Sequence, residues 1–215
     1  MSTFVYADNA ATTKMSPVSL EAMLPYMESC FGNPSSLHSA GQKAKEALTE
    51  ARGEMAALLG CSPKEIYFTS GGSEADNQAI LSAAALGARK GKKHILSTAF
   101  EHHAVLHTLK RLEKSGFTVT LLDVHKDGIV RVDELKAAIR PDTCLVTVMY
   151  ANNEIGTIQP IAEIGAVCRE HGIPFHTDAV QAVGHMHIDV GASHIDMLSA
   201  SAHKFGGPKG AGFLY

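Results

Sequence analysis

The sequence predicts an α/β protein of three layers, α/β/α, built on a mainly parallel seven-stranded sheet with one antiparallel strand. Three observations carry this. Short apolar, β-branched runs alternate with amphipathic stretches of helical period along the whole chain. Most of the runs are nearly continuous in Val, Ile, Leu, Phe or Thr, as expected of strands buried on both faces. The 215 residues are 45% apolar and 19% charged, with 19 glycines and no tryptophan, which suits a globular chain with many tight turns.

The elements follow in order. A helix is expected over 37–59, where Ala40, Ala44, Ala47, Leu48, Ala51, Met55 and Leu58 share one side and Gly60 can close it in the left-handed region. A strand at 66–69 leads to a helix at 73–86, which opens on Ser73-Glu74-Ala75-Asp76, the pattern of a capping box. The strand at 94–98 precedes a helix at 103–114 carrying Val105, Leu106, Leu109 and Leu112 and stopped by Gly116. After the strand at 118–123, a helix at 132–140 ends before Pro141, which cannot continue it. The strand at 144–150 is followed by a helix at 161–171 that stops at Gly172, then by strands at 174–178 and 197–202. This alternation implies right-handed crossovers. The segment 204–211 is too short for a helical crossover, so the last strand, 212–215, should run antiparallel. The chain stops inside that apolar strand with no polar tail, and a C-terminal part is expected to be missing from it.

Composition excludes several classes. Nineteen Lys and Arg against 22 Asp and Glu give a net charge of −3. No basic field exists to hold nucleic acid. The longest apolar stretches, such as 80–86, are far below a membrane span, and residues 1–8 lack the basic start and apolar run of a signal peptide. Cys30, Cys61, Cys144 and Cys168 lie far apart with no C-x-x-C pair, which argues against a disulfide scaffold or zinc ribbon and for reduced thiols in the cytoplasm.

In open α/β sheets ligands bind beyond the carboxyl ends of the strands. After 66–69 comes Ser70-Gly71-Gly72-Ser73, where glycines admit an anion to free N–H groups at a helix start; a plain turn with a capped helix explains the segment equally well. After 94–98 comes Glu101-His102-His103, an imidazole able to stack on a flat ligand or move a proton. His103 and His107, four apart, lack a third ligand, and no metal site is expected. After 144–150, Asn152 and Asn153 could orient a ligand or form an Asx turn. Asp178 follows an apolar run, so it should be partly buried and in need of a cationic partner such as a protonated ring nitrogen, unless it serves as an N-cap. Gln181 can reach the same pocket. After 197–200 come Ser201, His203 and Lys204; a lysine among small and apolar residues can lose its proton by desolvation and attack an aldehyde, although most loop lysines are merely solvated. A phosphate cradle, a ring-facing His, an acid for a ring nitrogen and a Schiff-base lysine together match pyridoxal 5′-phosphate (PLP).

At this point the sequence resembles the cysteine desulfurases of the NifS/IscS type, in the aminotransferase class V group of fold-type I PLP enzymes. The resemblance runs through Tyr6-Ala7-Asp8-Asn9-Ala10-Ala11-Thr12-Thr13, Phe31-Gly32-Asn33-Pro34-Ser35-Ser36-Leu37-His38, Phe68-Thr69-Ser70-Gly71-Gly72-Ser73-Glu74-Ala75-Asp76-Asn77, Glu101-His102, Ala151-Asn152-Asn153-Glu154-Ile155-Gly156-Thr157, His176-Thr177-Asp178-Ala179-Val180-Gln181 and His203-Lys204-Phe205-Gly206-Gly207-Pro208-Lys209-Gly210. It implies that Lys204 carries PLP and later moves protons, and that Asp178 pairs with the ring nitrogen. His102 would stack on the ring and assist catalysis as acid or base, Gln181 would bond the ring hydroxyl, and Asn153 would position ring and substrate. Gly72, Ser73, Ser201 and His203 would hold the phosphate. Ser73 stands where the family usually has Thr, and Ala202 where it often has Gly.

The resemblance further implies a homodimer that converts L-cysteine to L-alanine and passes sulfur, as an enzyme persulfide, to an acceptor or iron–sulfur scaffold protein. It divides the chain into an N-terminal arm at 1–15 and a large-domain core at 16–215, with the C-terminal small domain absent. None of the four cysteines aligns with the family's sulfur carrier, so this chain is expected to be inactive alone. A selenocysteine lyase, a cysteine-sulfinate desulfinase and a non-catalytic dimerisation scaffold are the alternatives.

Overall fold

The computed structural model describes residues 4–215, so the first residues of the expected arm, 1–3, lie outside the described residues. In chain order the elements are α1 (Pro17–Glu28), α2 (Ser39–Leu59), β1 (Tyr67–Thr69), α3 (Gly72–Arg89), β2 (His94–Thr98), α4 (His103–Lys114), β3 (Thr118–Leu122), α5 (Val132–Ala138), β4 (Thr143–Thr147), α6 (Ile161–Glu170), β5 (Phe175–Asp178), β6 (Met197–Ser201) and β7 (Gly212–Leu214). Short 3-10 turns stand at Pro63–Glu65 and Ala202–Lys204.

The seven strands form one sheet in the order β1-β7-β6-β5-β4-β2-β3. β7 is antiparallel to both of its neighbours, pairing Phe213 with Phe68 and with Ala200, and the other pairs are parallel. This is the sheet expected from the sequence, antiparallel strand included. β5, with every residue buried, lies at its centre.

Helices cover both faces. On one, Ile80 and Ala84 of α3 and Val105, Leu109 and Leu112 of α4 pack on Ile95 and Leu145. On the other, Ala56 and Leu59 of α2, Leu135 of α5 and Ile164 and Cys168 of α6 pack on Leu96, Val146, Phe175 and Leu198. Gly60 closes α2 at φ +71 and Gly116 and Gly172 follow α4 and α6 at φ +85 and +62, as their positions after the apolar patterns foretold.

Three expectations need correction. α1 was not anticipated: Ser16 caps it by accepting from the Ser19 N–H (3.0 Å) and Pro17 sits at its first position, but none of its residues is buried. Its apolar residues therefore show no core-facing stripe. The capping box at Ser73 does not form, because α3 already begins at Gly72 with Gly71 as its cap. Glu74 instead reaches back to the Ser70 N–H at 2.6 Å. The helix expected at 132–140 stops at Ala138, since Ile139 is extended at φ −66, ψ 132. Pro141 disfavours helical backbone at the residue before it, and the chain straightens one residue earlier still. The ladder of β4 ends at Thr147, yet the Val148 and Tyr150 N–H groups still bond His176 and Asp178 carbonyls of β5 (3.2 and 2.8 Å), which carries the expected strand to residue 150.

Candidate active site

The carboxyl ends of β1, β5 and β6, with the turns beyond β2 and β4, surround a cleft of about 500 Å³. Gly72, Ser73, His102, Asn153, Asp178, Gln181, Ser201, His203 and Lys204 all line it, whereas Glu101, His103, His107 and Asn152, also weighed in the sequence, do not.

The cradle sits at the start of α3. Gly71 has φ +149, a conformation that side chains rarely adopt, and a Cβ on Gly72 would come within 2.5 Å of Val180 Cγ2. Glycine here lets the backbone pack against the β5 turn, leaving the first N–H groups of α3 open toward an adjoining recess of about 440 Å³. Ser201, His203 and Lys209 line that recess too. Lys209, not singled out in the sequence as a site residue, puts a cation at that wall.

Asp178 ends β5 and is buried. Its Oδ1 accepts from the Val180 N–H at 3.0 Å, so it does act as a local cap as well as facing the cleft. Burial pushes its carboxyl up, and the Val180 hydrogen bond, His102 and Lys204 oppose the rise. Lys204 lies in the 3-10 turn after β6, half-buried. Burial holds its ammonium below the usual lysine range, against the pull of Asp178 and Asp8. The two groups thus face one small cleft and feel each other's charge.

His102 caps α4, its Nδ1 accepting from the Ala104 N–H (3.2 Å), which leaves Nε2 for the cleft. Of the two carboxamides, Asn152 is structural: its Oδ1 accepts from the Glu154 and Ile155 N–H groups and its Nδ2 donates to the Phe100 carbonyl. Asn153 is the one that lines the cleft.

Residues 8–13 border the cleft, a part of the site the strand-end survey did not anticipate. Thr13 donates through both its N–H and its Oγ1 to the His203 carbonyl (2.8 Å each), and its Oγ1 accepts from the Gly206 N–H at 2.9 Å. Thr12 Oγ1 pairs with His203 Nδ1 at 3.0 Å. The Ala10 carbonyl accepts from Gln181 Nε2 at 2.9 Å and from Lys204 Nζ. Asp8, Ala10, Met149 and Glu154 also line the cleft. The Tyr6–Thr13 motif could have pointed to Asp8 and Ala10, because its residues belong to no predicted element; Met149 and Glu154 lie outside that motif.

Beneath the floor lies a polar layer. Glu101 is buried, accepts from Thr98 Oγ1 (2.6 Å) and the Met149 N–H (2.9 Å), and is pushed up to about 8 by desolvation. His176 is held between Thr147 Oγ1 (2.8 Å) and Ser199 Oγ (2.9 Å), and burial drives its imidazole down to about 3. Asp76, read in the sequence only as a capping residue, is buried against this layer and lines the cleft.

No cysteine lines the cleft among the described residues. Burial raises the thiols of Cys144 and Cys168, the latter to about 12, which makes both poor nucleophiles. His103 and His107 stack with ring centroids 5.5 Å apart but gather no third ligand among the described residues. No helix among them is long and apolar enough to cross a membrane.

Among proteins of known identity, the cysteine desulfurase IscS of Methanosarcina thermophila is 56% identical over 211 residues, covering 98% of this chain and 52% of that protein. A solved structure of SspA in complex with cysteine superposes with a TM-score of 0.93 at 45% identity, over 98% of this chain and 60% of that one. A NifS-like protein superposes at 0.94 with 41% identity, over 98% and 58%. The chain thus spans about half the length of the curated relatives it matches. Residues 5–215 match the family model for aminotransferase class V, and the chain belongs to that family.

Proposed function

We propose that this chain is the PLP-binding part of a cysteine desulfurase, acting on L-cysteine and feeding sulfur to an acceptor or iron–sulfur scaffold protein. The observation that carries the reading is the meeting of a desolvated lysine and a buried acid across one cleft, beside a glycine-shaped helix start with a lysine on its wall. The relatives named as cysteine desulfurases, and the SspA structure holding cysteine, support the substrate.

The residues fit PLP. The open N–H groups at Gly72 and Ser73, with Ser201, His203 and Lys209, would hold a phosphate; Asp178 would face the ring nitrogen; His102 would cover the ring; Lys204 would tether the aldehyde carbon. The cofactor, when bound, supplies an electron sink for bonds at the substrate Cα. The chain's own residues do the rest. Asp178 holds a proton at the ring nitrogen. Lys204 Nζ, poised by burial for proton loss, takes and returns a proton at Cα. Asn153 and Gln181 orient the ligand, and the Ala10 carbonyl accepts from Gln181 and Lys204 at the cleft wall.

The test is chemical. With added PLP the chain should gain the absorbance of a lysine-bound cofactor, and borohydride reduction followed by peptide mapping should place the pyridoxyl group on Lys204; Lys204→Ala should lose both. Labelling of another lysine, or none, overturns the reading. The same preparation should release no alanine from L-cysteine at catalytic rate, because no thiol among the described residues reaches the cleft to take the sulfur.

A further inference from the structure

The floor of the cleft holds more acid than the proposed chemistry needs. Asp76, in the second turn of α3, is 1% exposed, and its Oδ1 has no hydrogen-bond partner. Donor atoms of Asp76, Asp178 and His102 lie within 4.8 Å of one another. The groups facing Asp76 are Asp178 and His176 from β5, Ser199 from β6, and Glu101 and His102 from the turn into α4, with Lys204 across Asp178. His176 Nε2 comes to 3.6 Å of Oδ1, but that imidazole is neutral and already engaged by Thr147 and Ser199.

Two carboxyls this close in a water-poor site do not both ionise. The surroundings decide which keeps the proton. Asp178 has the Val180 N–H, His102 and Lys204 to stabilise its charge. Asp76 is pushed well up by burial and by the Asp178 and Glu101 carboxyls, with only the Ser199 hydroxyl pulling the other way.

We propose that Asp76 is a positioning residue that acts through Asp178: the pair keeps one proton, on Asp76, so that Asp178 presents a single fixed anion to the ring nitrogen of the cofactor. The cofactor half of this rests on the function proposed above; the acid pair does not.

The pair is tested first in the cofactor-free chain, with aspartate carboxyl carbons labelled with 13C and assigned through Asp76→Asn and Asp178→Asn. Asp76 should be protonated at neutral pH, and Asp178→Asn should lower its titration midpoint by about 1 pH unit or more. An Asp76 signal already ionised at neutral pH, or one indifferent to Asp178→Asn, overturns the pair. PLP is then titrated into wild type, Asp76→Asn and Asp76→Ala, each checked for folding by circular dichroism. Asp76→Asn copies the neutral acid and should bind PLP within about threefold of wild type, whereas Asp76→Ala should lose about tenfold or more. The ring-15N signal of bound PLP should move only in Asp76→Ala. Equal losses in both variants would mean that Asp76 works as an anion, and overturn the proposal. If wild type binds no PLP while the 13C titration behaves as stated, the proposed function and the cofactor half fall and the acid pair stands.

Discussion

Glu101 and His176 sit in one buried layer and respond to pH with opposite sign. The folded chain keeps the Glu101 proton up to about 8, whereas the unfolded chain releases it in the ordinary glutamate range, so this residue makes stability fall as pH rises between the two. The folded chain refuses a proton on His176 down to about 3, whereas the unfolded chain accepts one in the ordinary histidine range, so stability falls as pH drops through that window. Glu101→Gln keeps an acceptor for Thr98 and Met149 and removes the titration. It should stabilise the chain by about 1–3 kcal/mol in mildly alkaline buffer and by much less in mild acid, measured by urea unfolding across pH. Equal effects at both ends would show that Glu101 does not hold its proton. At this scale the site was largely legible, because chemistry-bearing side chains at strand ends stand out against apolar runs. Asp76 was not: inside S-E-A-D the same residue type suits an exposed helix start, and only the packing of α3 on β5 and β6 shows that it is buried.

Among the elements, glycines separate helices that must touch from helices that need not. Gly165 of α6 lies so close to the 193–194 turn that a Cβ would meet the Ser193 carbonyl oxygen at 2.0 Å. Gly165→Ala should cost about 1–3 kcal/mol as the turn and helix part. Gly53 of α2 has nothing within 4 Å of the place its Cβ would take. Gly53→Ala should stabilise by up to about 1 kcal/mol through helix propensity alone. Paired denaturation curves check both signs, and a neutral Gly165→Ala would mean the contact yields freely. The strands and five of the six helices could be read from period and punctuation, since each buries a face. α1 could not, because it buries nothing and its apolar residues answer to no core in this chain.

For the whole molecule, that same helix dictates behaviour. Val18, Leu20, Leu24, Tyr26 and Met27 of α1 are all exposed, as are Phe31 and Leu37 beyond it. Exposed apolar surface of this kind favours association. Sedimentation at rising concentration should show dimers or larger species, and Val18→Asp with Met27→Asp should return the chain toward monomer. A wild-type chain that stays monomeric throughout would remove the argument for the homodimer expected from the sequence. The order of the sheet was legible only in part: alternation gave parallel crossovers and a short connection gave the antiparallel end. That β7 inserts between β1 and β6 is a matter of long-range pairing that no local pattern encodes.

That insertion has a consequence for how the protein is made. β1 emerges from the ribosome early, but its sole neighbour in the sheet among the described residues is β7, translated long afterwards. Until then the first strand waits without a mate. Gly212 of β7 also packs against the backbone of Gly71, where its Cβ would lie 2.7 Å from the Gly71 Cα. The glycine loop before α3 is therefore braced only when translation has passed residue 214, so on a nascent chain that loop stands unsupported long after its own residues have emerged.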